Sequence, residues 1–158
     1  MKITKPHRIS RTYKQKIKAK PSLVFPLLCP NREVDWVNGW LPEEIISNSG
    51  LAELDCVFTT TNDKGKAFWI VTKYEPENFM LEIAKIVPDY YLSNIRISIN
   101  DNQDNGSDLS VTYQLTSLSK NGNKKVDEFT EEYYKDFMEA WERELNYFLI
   151  TGHKKEDK

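Results

Sequence analysis

The sequence predicts an α+β fold in which a curved antiparallel sheet of about seven strands wraps around a long C-terminal helix, with two short helices after the first strand. Three observations predict it. Residues 9–19 alternate between two faces, residues 43–119 read as short strands divided by turn residues, and beyond Thr130 apolar side chains recur at three- and four-residue steps. A sheet with one wet face needs a cover for the other, and the final segment supplies it.

In the first strand Ile9, Arg11, Tyr13, Gln15, Ile17 and Ala19 share one face, while Ser10, Thr12, Lys14, Lys16, Lys18 and Lys20 share the other. The lysine row reads as a solvated outer face that discourages edge pairing. A nucleic-acid stripe is the weaker reading, because 22 basic and 24 acidic residues leave a net charge of -2. Pro21 then suits a first helical turn, and Pro26 and Pro30 forbid one long helix. The first short helix is expected to turn Leu23, Phe25, Leu27 and Leu28 inward. The second takes its apolar side from Val34, Trp36, Val37 and Trp40 and ends at Asn38-Gly39.

Turn chemistry at Asn48-Ser49-Gly50, Asn62-Asp63-Lys64-Gly65, Glu75-Pro76-Glu77-Asn78, Pro88-Asp89 and residues 101–108 divides an antiparallel meander. The last strand has the clearest pattern, with Leu109, Val111, Tyr113 and Leu115 opposite Ser110, Thr112, Gln114 and Thr116. Residues 66–74 are ambiguous, since both faces are largely apolar. Lys73 selects Phe68, Ile70, Thr72 and Tyr74 as the inward set. That leaves Trp69 exposed beside Val71, a candidate partner surface and a route to a homodimer.

Thr130 is placed to cap the final helix. Tyr133 departs from a capping box, while Glu131 and Glu132 suit the positive helix end. Tyr134, Phe137, Met138, Trp141, Leu145, Phe148 and Leu149 form the apolar stripe, and Gly152 stops the helix after roughly twenty residues, about 30 Å. No repeat or linker interrupts the pattern, so residues 1–158 read as one domain with 1–7 and 153–158 frayed.

The two cysteines, Cys29 and Cys56, cannot build a disulfide framework and lack zinc-ligand spacing, which fits a cytoplasmic protein without metal or cofactor. The N-terminal residues are polar, and no stretch approaches the ~20 apolar residues of a membrane span, so neither secretion nor membrane insertion is expected.

A strand, two short helices, about six antiparallel strands and a long terminal amphipathic helix is an order that resembles the START-like superfamily, also labelled SRPBCC or helix-grip proteins. The segments VFPLLCPNREVDWVNGW, DCVFTT, WIVTKYEP and EEYYKDFMEAWERELNYFL are similar to a bacterial SRPBCC subfamily with an LLCPxRExxW-type segment. The resemblance implies a cavity between sheet and long helix, used across the superfamily for lipids, sterols, polyketides or aromatic compounds. It also implies two other activities seen among relatives: polyketide cyclase-like catalysis, and binding to heat-shock ATPases.

In that architecture Arg11, Tyr13, Gln15, Trp36, Trp40, Phe58, Tyr74, Tyr113, Phe137 and Trp141 are the candidate ligand-binding residues. The same rings can instead fill an ordinary core. Arg32, Glu33 and Asp35 form a polar cluster at the expected cavity mouth, able to orient a ligand head group or to tie the connector to the sheet. His7 and His153 are the only histidines and both lie near the termini, so no histidine base, Ser-His-Asp arrangement or two-histidine metal site is expected. No catalytic residue is assigned. A small apolar ligand in the cavity is the leading function, a protein-interaction module the alternative, and a cyclase or dehydratase using Glu33, Asp35 or Tyr13 the third.

Overall fold

The computed structural model describes residues 1–62 and 65–156. It contains seven strands, β1 (Arg8–Ile17), β2 (Glu44–Ile46), β3 (Val57–Asn62), β4 (Gly65–Glu75), β5 (Met80–Val87), β6 (Tyr91–Asp101) and β7 (Ser107–Ser117). Four helices accompany them, α1 (Pro21–Val24), α2 (Pro30–Glu33), α3 (Lys120–Glu128) and α4 (Glu131–Thr151), with a 3-10 turn at Phe25–Leu27. All strands join one curved antiparallel sheet in the order β1-β7-β6-β5-β4-β3-β2, so the first strand pairs with the last and every later strand with its successor. Asn62 of β3 pairs with Gly65 of β4, and Asp63 and Lys64, where a turn is expected from the sequence, lie outside the described residues.

The pleat decides which side chains meet α4. Leu109, Val111 and Leu115 of β7 are buried, and Ile95, Ile97 and Ile99 of β6 continue that face. From α4, Tyr134, Met138 and Leu145 are buried, spaced to lie on one side of a helix. At roughly 1.5–3 kcal/mol per buried large apolar side chain, this stripe is what holds the helix against the sheet. The hydroxyl of Tyr134 donates to the carbonyl of Val111 at 2.6 Å, and the buried amide of Gln15 donates to the Met138 carbonyl at 2.8 Å. Thr130 caps α4 by accepting from the Tyr133 N–H, and Gly152 ends it in the left-handed conformation with φ 72°.

Several elements differ from the sequence reading. β4 turns Ala67, Trp69 and Val71 inward and leaves Phe68 outside, 45% exposed. A register shift between Val71 and Lys73 then resets the alternation, so Tyr74 also packs on the core. Lys73 therefore carries no information about Trp69, because the two lie on opposite sides of the bulge. In the connector, Val24 is buried and Leu23 is 62% exposed, the reverse of the inward Leu23 expected. Pro26 explains this by breaking the helix into two short pieces. α2 stops at Glu33, and turns carry the chain to Gly39 instead of a helix reaching Asn38. Glu144 of α4 holds that turn by accepting from the backbone and side-chain amides of Asn38.

α3 was not expected. It is nearly all polar, with only Gly122 and Val126 buried, so it offers no apolar stripe to the eye. Its one legible signal is Ser119, whose hydroxyl accepts from the Gly122 N–H as an N-cap.

Candidate functional site

Between the concave face of the sheet and α4 lies a cavity of about 680 Å³. Its floor is Ile83, Ile95, Ile97, Val111 and Leu115, each turned inward by strand alternation. Phe137, Met138 and Trp141 come down from α4, three and four residues apart and so on one helix face. Tyr91, Phe129 and Tyr133 add further rings, and α3 contributes Lys125 and Glu128, which pair with each other at 2.5 Å.

One wall is a cluster of three rings. Phe58 stacks on Trp69 with centroids 5.2 Å apart, and Trp40 meets both edge-on at 6.1 and 5.6 Å. The indole N–H of Trp40 is used by the Pro30 carbonyl and that of Trp69 by the Thr60 hydroxyl, so these indoles offer the cavity apolar ring and no spare donor. Lys85, opposite Trp69 in the ladder, holds its ammonium 4.2 Å from that ring.

The Ser93 hydroxyl on the wall is buried without a hydrogen-bond partner, and the half-buried Glu33 carboxyl and Tyr113 hydroxyl beside the same space make no hydrogen bond to another described residue. Glu33 is half-buried and lines the chamber. Desolvation accordingly pushes its carboxyl up to about 8. Burial holds the Tyr113 hydroxyl above the ordinary phenol range, and the Glu33 charge reinforces it, followed by Tyr134, Tyr91 and Tyr133. Near neutral pH these are therefore a carboxylic acid and a phenol, both able to donate a hydrogen bond.

Of the residues singled out from sequence, Trp40, Phe58, Tyr113, Phe137, Trp141 and Glu33 line this cavity. The others do not reach it. Arg11 is spent at the junction of α3 and α4, donating to the Phe129 carbonyl and the Glu131 carboxylate. The Tyr13 hydroxyl donates to Glu139 at 3.4 Å in an outer cleft, and Gln15 fixes α4. Trp36 is buried behind the wall, its N–H on the Leu27 carbonyl and its ring 4.9 Å from Trp141. Tyr74 packs on Phe25 at 5.5 Å. Arg32 and Asp35 pair with each other at 2.8 Å, and only Glu33 of that cluster lines the chamber.

Sequence reasoning missed Tyr91, Ser93, Ile95 and Lys85. The first three had a signal, since Tyr91, Ser93, Ile95 and Ile97 fall on one alternating face of β6. The sequence reading places Trp69 outside. It is 7% exposed, so it no longer supports a partner surface or homodimer. Among the described residues, no three His, Cys, Asp or Glu side chains gather as a metal-binding group, and no helix is long and apolar enough to cross a membrane.

No family model matches the sequence, and no curated protein matches it. Solved structures match its shape. Norcoclaurine synthase from Thalictrum flavum in complex with dopamine and hydroxybenzaldehyde is 12% identical, with a TM-score of 0.65 over 96% of this chain and 91% of that one. CalU16 from Micromonospora echinospora is 15% identical, TM-score 0.59, over 89% and 78%. Ara h 8.0201 is 10% identical, TM-score 0.64, over 91% and 99%. These likenesses establish the fold, which is the helix-grip fold.

Proposed function

On this helix-grip fold, we propose that the chain binds a small apolar or aromatic ligand in the chamber between the sheet and α4. The observation that carries the reading is the cavity itself, about 680 Å³ with mostly apolar walls and a few convergent polar groups. That volume falls within the several hundred Å³ typical of small-molecule sites. The walls come from the connector after β1, from the sheet, and from α3 and α4. A core that merely filled itself would close such a space, because interiors pack to the density of organic crystals. Norcoclaurine synthase, a distant likeness in shape, holds two compounds with single aromatic rings, and this supports the ligand class proposed.

Calorimetric titration with diphenylmethane tests the reading. One molecule per chain is expected, with a negative heat-capacity change from apolar burial. No uptake at the solubility limit of the probe defeats it.

A further inference from the structure

We propose that the Glu33 carboxyl and the Tyr113 hydroxyl act together as a donor pair that selects, among apolar ligands, those carrying a carbonyl oxygen. This rests on the ligand-binding reading above and adds the chemical class of the ligand.

Polar groups on a mostly apolar wall fix a ligand's orientation, so two wall groups that make no hydrogen bond to the protein mark where ligand polarity belongs. Glu33 is delivered to the chamber by the end of α2 and Tyr113 by the middle of β7, and both side chains line the same space. A carbonyl oxygen has two lone pairs and takes one donor on each. Ser93 of β6 lies opposite Leu115 of β7, two residues along from the partner of Tyr113, and adds a further hydroxyl on the same face. A hydrocarbon would leave both donors unpaired, and a ligand carboxylate would bring a second acid into an apolar site.

The other ionisable groups around the chamber leave this pair intact. Beside Glu33 in the chain, Arg32 of α2 and Asp35 of the following turn pair with each other. Across the space stand Tyr91 on β6, Lys85 on β5, Tyr133 on α4, and the Lys125–Glu128 pair on α3. Tyr134 is engaged with the Val111 carbonyl, and Lys85 lies against the Trp69 ring. Desolvation alone accounts for the high value of Glu33.

Benzophenone and diphenylmethane differ at one carbon, carbonyl against methylene, and serve as matched probes in equilibrium dialysis. At about pH 6 the wild type should prefer benzophenone about tenfold, the worth of one to two net hydrogen bonds. The preference should fade at about pH 9.5, where Glu33, titrating at about 8, has lost its proton. Glu33→Gln should keep the preference at both pH values, because an amide donates without ionising. Glu33→Leu and Tyr113→Phe should each lose most of it while still binding diphenylmethane. Equal affinity for the two probes in the wild type, or a preference unmoved by Glu33→Leu and Tyr113→Phe, overturns the donor pair and leaves the apolar site standing. Binding of neither probe overturns the ligand reading and this proposal with it.

Discussion

The side-chain amide of Asn146 donates to the carbonyl of Lys16 at 2.9 Å, and its oxygen accepts from the N–H of Lys18 at 2.8 Å. Glu142, one helical turn earlier, accepts from the Lys16 N–H at 3.2 Å. β1 is the edge of the sheet, and these groups face away from β7, so α4 satisfies with side chains the backbone positions that another strand would otherwise pair. The same bonds fasten α4, the roof of the chamber, to the edge of the sheet. Asn146→Ala removes two of them and should lower stability by about 1–3 kcal/mol in urea unfolding. A change within experimental error means that water serves the edge equally well.

Glu33 should make stability depend on pH. Its carboxyl is raised in the folded chain from 4.5 to about 8. The stability it allows is therefore complete below about 4.5 and is lost as pH rises through about 8, because only the unfolded chain can ionise cheaply in that window. Glu33→Gln removes the effect. Relative to the wild type, the variant should gain stability across this interval, up to an order of 5 kcal/mol at about 1.4 kcal/mol per pH unit. Urea midpoints taken at several pH values check this, and a constant gap between the two proteins contradicts it.

Ser93 is 1% exposed and its hydroxyl has no partner. Replacing an unpaired buried hydroxyl with hydrocarbon removes a desolvation cost and adds apolar burial. Ser93→Val should raise stability by about 1 kcal/mol in thermal or urea unfolding. A loss of similar size would mean that the hydroxyl is bonded after all.

Gly122 sits in the first turn of α3, where an added Cβ would lie 1.7 Å from the Tyr90 carbonyl oxygen. Backbone cannot yield as a side-chain tip can. Gly122→Ala should cost about 3 kcal/mol or more and weaken the docking of α3 on the sheet. Calorimetric unfolding reads the loss, and a melting temperature equal to that of the wild type contradicts the close approach.

The residues that the sequence made legible are those governed by one local period. Tyr113 follows from alternation in β7, and Phe137 and Trp141 from three- and four-residue steps in α4. Trp69 was misread because a bulge two residues away changes the phase of β4, and a bulge leaves no compositional mark in GKAFWIVTKYE. Glu33 stood out as part of a polar cluster, but its direction did not. That depends on α2 ending at Glu33 and on Arg32 and Asp35 turning to each other, both matters of geometry in a connector too short to show a period. Arg11, Tyr13 and Gln15 do share a face, as alternation requires. What alternation could not show is that this edge strand meets the flank of α4 rather than the chamber. α3 stayed hidden because helices of nearly uniform polarity resemble loops.

The most direct test of where a ligand resides is an isotope-filtered nuclear Overhauser experiment on the chain with bound diphenylmethane. Residence in the chamber predicts contacts from the probe to the methyl groups of Ile95 and Val111 and to the Trp40 and Trp141 rings. Contacts confined to Phe68 and Ile86, which face outward at 45% and 39% exposure, would place the probe on the outer surface and contradict a binding chamber under α4.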